Sequence, residues 1–66
     1  MTKKEFSTLT PNQRVKMTKV SILKLKVSYI YGDVVKIYNG NWQVKVWFDG
    51  EKKPRIVGYT QIDLAL

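Results

Sequence analysis

The chain has 66 residues with no Cys and no His, and twelve Lys and Arg against five Asp and Glu give it a formal net charge of +7. That length allows one domain with a small core. The missing thiols and imidazoles exclude disulfides, Cys/His zinc sites, thiol nucleophiles and a histidine general base.

A hydrophobic content of 44% argues for a folded domain rather than a basic tail. Residues 1–12 are polar apart from Met1, Phe6, Leu9 and Pro11, and read as a short flexible arm, or a lead-in that pins Phe6 or Leu9 on the core. Residues 13–66 are then the domain proper. No apolar run approaches the ~20 residues of a membrane helix, and no apolar stretch follows the charged start Met1-Thr2-Lys3-Lys4-Glu5. No membrane partner is expected. The expectation is a small cytoplasmic protein beginning at its own Met, and the lack of Cys fits a reducing compartment.

Thr10-Pro11-Asn12 is a turn signal. Val15 and Met17 then alternate with Arg14, Lys16 and Thr18, which predicts a strand. In Leu23-Lys24-Leu25-Lys26-Val27-Ser28-Tyr29 the period of two is cleanest and predicts a half-buried strand, with Leu23, Leu25, Val27 and Tyr29 on the buried face. Tyr31-Gly32-Asp33 reads as a turn or bulge. Val34–Tyr38 is the next strand, and Asn39-Gly40-Asn41 predicts a type I′ hairpin turn. Trp42, Val44, Val46 and Phe48 share one face of the following strand, with Gln43, Lys45 and Trp47 on the other. Asp49-Gly50 opens a second turn, and Arg55–Tyr59 returns as a strand. Thr60-Gln61-Ile62-Asp63 reads as a tight turn before a last short strand, Leu64-Ala65-Leu66. Five or six short strands with tight connections leave no room for a crossover helix, so the sheet is expected to be antiparallel.

This order of parts resembles an SH3-like small barrel of the Tudor, KOW and PsaE-like kind. The resemblance rests on Arg14-Val15-Lys16-Met17, on Tyr31-Gly32-Asp33-Val34-Val35-Lys36-Ile37, on Trp42–Gly50, and on Val57–Leu64 as strand, one-turn 3₁₀ helix and closing strand. It covers about four fifths of the chain and consists of strands and turns rather than a chemical motif. It implies a five-stranded antiparallel SH3-like barrel, all-β, behind a short N-terminal arm. The Ala-Leu-Tyr-Asp-Tyr stretch of proline-binding SH3 domains is absent, as is the Val-Gln-Ile-Tyr stretch of the plasmid-borne reductase with this fold, so neither activity is expected.

Little in the chain could carry catalysis. Asp33, Asp49 and Glu51 fall at predicted turns, where carboxylates cap and solubilise loops. Asp49 and Glu51 alone are too few oxygens for a hard cation. The four glycines are isolated and make no phosphate loop. No enzyme activity, cofactor or metal is expected.

Charge says more. Up to Lys26 the chain carries seven basic residues and one acid; from Val27 it carries five basic and four acidic. Arg14, Lys16, Lys24 and Lys26 lie on the polar parity of their strands, as do Lys36, Lys45 and Arg55, and Lys52 and Lys53 stand in the loop between the last two. Such a surface attracts phosphate backbones by Coulomb attraction and counterion release. The bland alternative is a solubility face, since lysines also guard sheet edges. Trp47 lies on the outward parity beside Lys45, where an indole stacks on a base or wedges into a groove. Small archaeal chromatin proteins carry a similar basic sheet with a Trp, an architectural analogy without a shared motif. Cover by the arm or by the last strand, or a bulge that reverses parity, would instead bury this indole. A Tudor-type aromatic cage of Tyr31, Trp47 and Tyr59 with Asp33 or Asp49 is a further option, opposed by the basic surface and by ordinary aromatic packing.

The expectation is therefore a basic protein that binds DNA or RNA through phosphates with low sequence specificity. Its site residues are Arg14, Lys16, Lys24, Lys26, Lys36, Lys45, Trp47, Lys52, Lys53 and Arg55. The competing expectation is an interaction module or accessory subunit, of phage or mobile-element type, that docks on an acidic protein surface.

Overall fold

The computed structural model describes residues 1–21 and 26–65, with side chains for 1–18 and 27–65. Its elements are α1 (Lys3–Ser7), β1 (Arg14–Ser21), β2 (Lys26–Tyr38), the 3₁₀ turn η1 (Asn39–Asn41), β3 (Gln43–Phe48), β4 (Arg55–Gly58), the 3₁₀ turn η2 (Tyr59–Gln61) and β5 (Ile62–Leu64). The five strands form one antiparallel sheet in the order β4-β3-β2-β1-β5. Among the described residues β4 and β5 are edge strands and the sheet is not closed. No described helix is long and apolar enough to cross a membrane.

Residues 3–7, within the stretch read as a flexible arm or lead-in, form a short helix. Thr2 Oγ1 accepts a hydrogen bond from the Glu5 N–H at 3.1 Å, and Glu5 Oε1 accepts one from the Thr2 N–H at 2.9 Å, a reciprocal capping box. Five residues do not make a stable helix alone. Burial of Phe6 and Leu9 in the core supplies what is missing, as the lead-in reading anticipated. The amino group of Met1 donates to the Ile62 carbonyl at 2.6 Å, tying the start of the chain to β5. The core around these two residues is Val15, Val34, Val44, Val46, Phe48, Val57 and Ile62.

β3 follows the predicted parity, with Val44, Val46 and Phe48 buried and Gln43 and Trp47 exposed. β2 does not follow the predicted breaks. It runs unbroken through Gly32, which pairs with Val15 on one side and Phe48 on the other, and the irregularity falls at Val35 instead. Gly32 is needed because β3 comes so near: a Cβ there would stand 2.7 Å from the Trp47 carbonyl oxygen and 2.9 Å from the Phe48 Cα.

The half-buried face predicted for Val27 and Tyr29 is also corrected. Val27 is 62% exposed and Tyr29 48%. The inward side chains of β2 are instead Ile30, Val34 and Ile37. β5 reaches only to Met17 on β1, and β3 only to Gly32 on β2. Beyond those points β1 and β2 continue as a two-stranded ribbon, with no third strand on either edge among the described residues. Leu23 and Leu25, named with this face, lie outside the described residues, as does Lys24 of the opposite face.

The β2–β3 connection also departs from expectation. Asn39-Gly40-Asn41 forms η1, and the left-handed residue is Trp42, at φ 54°, in place of an Asn-Gly pair. Packing holds it there: the indole lies 5.3 Å from the Phe6 ring and 5.7 Å from Tyr59, and the Trp42 carbonyl accepts from the Tyr59 N–H at 3.0 Å. The tight turn predicted at Thr60–Asp63 is η2, one residue earlier, and the last strand is Ile62–Leu64; Leu66 lies outside the described residues.

Candidate nucleic-acid interface

Register places the functional side chains. Cross-strand partners share a face, so the face away from the core carries Arg14, Asp33 and Trp47 in one row, since Arg14 pairs with Asp33 and Asp33 with Trp47. The next row toward the ribbon holds Asp63, Lys16 and Tyr31, and the row beyond it Thr18 and Tyr29. In the other direction, past the irregularity at Val35, Lys36 and Lys45 are direct partners, with Ile56 opposite Lys45 on β4. Ile56 is 54% exposed.

All five Asp and Glu side chains are engaged locally. Glu5 belongs to the helix cap and Asp63 pairs with the Met1 amino group at 3.0 Å. Arg14 bonds both Asp33, at 3.2 Å, and Asp49, the latter through both guanidinium arms. Glu51 Oε1 accepts from Arg55 Nε at 3.0 Å. The hydrogen bonds from Arg14 hold the Asp49 carboxyl below the usual carboxylate range, and the guanidinium pKa is raised in turn. The ion pairs among described residues thus use the two arginines and the N-terminus. Lys16, Lys36, Lys45, Lys52 and Lys53 have no carboxylate partner among the described residues.

The predicted site residues therefore divide. Arg14 is outward, as expected, but sits between two carboxylates. Arg55 is exposed on the opposite parity to that expected: it registers with the buried Val46, and its guanidinium lies 4.8 Å over the Phe48 ring. Lys16, Lys36 and Lys45 share the outer face, and Lys52 and Lys53 extend from the β3–β4 loop, whose turn has Gly50 at φ 81°. The Lys24 residue and the Lys26 side chain lie outside the described residues; the Lys26 backbone pairs with Ser21.

Trp47 is 45% exposed on the outer face. Its Nε1–H donates to the Glu51 carbonyl at 2.8 Å, which fixes the ring and satisfies its polar edge. The aromatic cage does not assemble, because Tyr59 packs with Phe6 and Trp42 and both candidate acids are held by Arg14.

Tyr29, expected on a buried face, and Tyr31, expected only as a cage residue, both stand on the outer face. Lys16 Nζ lies 4.7 Å from the centroid of Tyr29, and the Arg14 guanidinium 5.9 Å from that of Tyr31. Extending β2 through Gly32 would have revealed them, since Tyr29, Tyr31 and Asp33 then share the parity opposite Ile30 and Val34.

A cleft of about 560 Å³ lies between the ribbon and the β3–β4 loop, lined by Met17, Ile30, Phe48, Asp49, Glu51 and Arg55 among others. Its two carboxylates are those already paired with arginines. No group of three or more metal-binding side chains occurs among the described residues.

No protein-family model, characterised protein or solved structure matches the chain.

Proposed function

We propose that this chain is an SH3-like barrel protein that binds nucleic acid without catalysis, gripping the phosphate backbone on the outer face of β2 and β3. The strand order β4-β3-β2-β1-β5, and the single 3₁₀ turn between β4 and β5, support the barrel reading. The observation that carries the function is the register pair Lys36 and Lys45. Like charges directly opposite each other destabilise a sheet, and here no carboxylate among the described residues relieves them. An anion placed between the two ammonium groups removes the repulsion and gains two charge-assisted contacts. Lys52 and Lys53 extend the positive surface from the adjoining loop. Both arginines are already paired with carboxylates, so bidentate reading of guanine is weak and sequence discrimination is low.

The test is affinity as a function of salt. Each neutralised phosphate contributes a slope of about −0.9 to log affinity against log salt on a duplex. About four lysine contacts therefore give a slope near −3.6, and affinity falls about 150-fold between about 50 and 200 mM salt. Heparin and duplex DNA displace each other from the same site. Affinity that does not change with salt overturns the proposal. The exposed Ile56 beside Lys45 favours a second reading, an acidic protein surface docking with an apolar contact; in that case neither polyanion binds.

A further inference from the structure

Three exposed rings run diagonally across the outer face. Tyr29 and Tyr31 are alternate residues of β2, and Trp47 on β3 is the partner of Asp33, the next outward residue of β2. Diagonal cross-strand neighbours are within reach of aromatic side chains. Tyr31 is 41% exposed, and the other two rings are more open. Lysines with no carboxylate partner among the described residues flank the file: Lys16, over the Tyr29 ring and beside Tyr31, at one end, and Lys36, over the Tyr38 ring, with Lys45 beyond Trp47 at the other. At its centre Arg14 faces two carboxylates, Asp33 and Asp49, so one negative charge is left over there.

That distribution distinguishes between forms of nucleic acid. A duplex keeps its base faces stacked inside and would set phosphates across the whole surface, including the negative centre. A single strand can turn its bases onto the rings and hold its phosphates toward the lysines at the two ends. Base–aromatic stacking tolerates any sequence, because every base has a π-face. Resting on the function proposed above, we infer that this outer face binds single-stranded nucleic acid, with bases stacked on Tyr29, Tyr31 and Trp47 and phosphates held by Lys16, Lys36 and Lys45.

The experiment compares fluorescence-labelled oligo(dT), oligo(U) and a duplex of equal length, by anisotropy at one low salt concentration. Both single strands bind at least about tenfold more tightly than the duplex, with stacking losses of roughly 5- to 150-fold per ring. Tyr29→Ala with Tyr31→Ala lowers single-strand affinity by at least about tenfold and leaves duplex affinity unchanged. Tyr29→Phe with Tyr31→Phe retains binding, since the ring remains. Oligonucleotide contact also quenches Trp47, measured against a Trp47→Phe variant that retains Trp42. Equal or tighter binding of the duplex, with alanine variants that bind like the parent, overturns the stacking inference and leaves the phosphate-binding proposal standing. Failure of all three probes to bind overturns both.

Discussion

Replacing Gly32 with alanine is expected to lower the midpoint of thermal unfolding by about 10 °C. The methyl group would stand 2.7 Å from both the Trp47 carbonyl oxygen and Val46 Cγ1, and 2.9 Å from the Phe48 Cα. Two of those three atoms are backbone of β3, so a side-chain rotation does not relieve the clash and the β2–β3 ladder must open. Overpacking of this kind costs about 1–3 kcal/mol. The lower entropy of an unfolded alanine chain offsets only about 0.4–1 kcal/mol of it. The stability of a domain this size is on the order of 5 kcal/mol, and each kcal/mol moves the midpoint by about 4–8 °C. Gly40→Ala is the control, because a Cβ at Gly40 meets nothing within 4 Å. Calorimetry should find Gly40→Ala neutral or slightly stabilised. If the two variants melt together, the close approach of β3 to Gly32 is wrong.

The second large effect is on binding. Lys36→Glu with Lys45→Glu should abolish measurable affinity for oligonucleotides at about 100 mM salt, and each lost phosphate contact should flatten the salt slope by about 1. Neither lysine is in the core, so the double variant still folds. The single variant Lys36→Glu separates binding from stability: it converts a like-charge cross-strand pair into an opposite-charge one, worth about 0.2–1 kcal/mol. Its melting temperature should therefore hold or rise while its affinity falls. A variant that binds like the parent would show that phosphates are held elsewhere. Loss of oligonucleotide binding with Trp47→Ala but not with charge reversal would show that ring stacking, and not the lysine pair, holds the strand.

The parts legible in the sequence are those where one strand face is covered along its whole length. Val44, Val46 and Phe48 alternate against Lys45 and Trp47 because β3 lies between two neighbours over a core. The same logic misleads in the ribbon. The alternation of Val27 and Tyr29 is real, but a period of two does not say which face is covered, and neither neighbouring strand extends that far. Gly32 looked like a turn because glycine punctuates chains; here it marks a close approach of backbones inside a strand. A five-residue helix is too short to show a 3.6-residue period, although its capping pair, Thr2 and Glu5, stands in the sequence. The outward direction of Arg14 was legible. Its partners Asp33 and Asp49, nineteen and thirty-five residues away, were not, and they change it from a free cation into a paired one.

The most direct measurement is an amide chemical-shift titration of ¹⁵N-labelled protein with a short single-stranded oligonucleotide. The account predicts shifts concentrated at Lys16, Tyr29, Tyr31, Lys36, Lys45 and Trp47, with the Trp47 indole N–H moving and both the Trp42 indole and α1 staying in place. Shifts confined to α1 and β5, or none at saturating oligonucleotide, would contradict it.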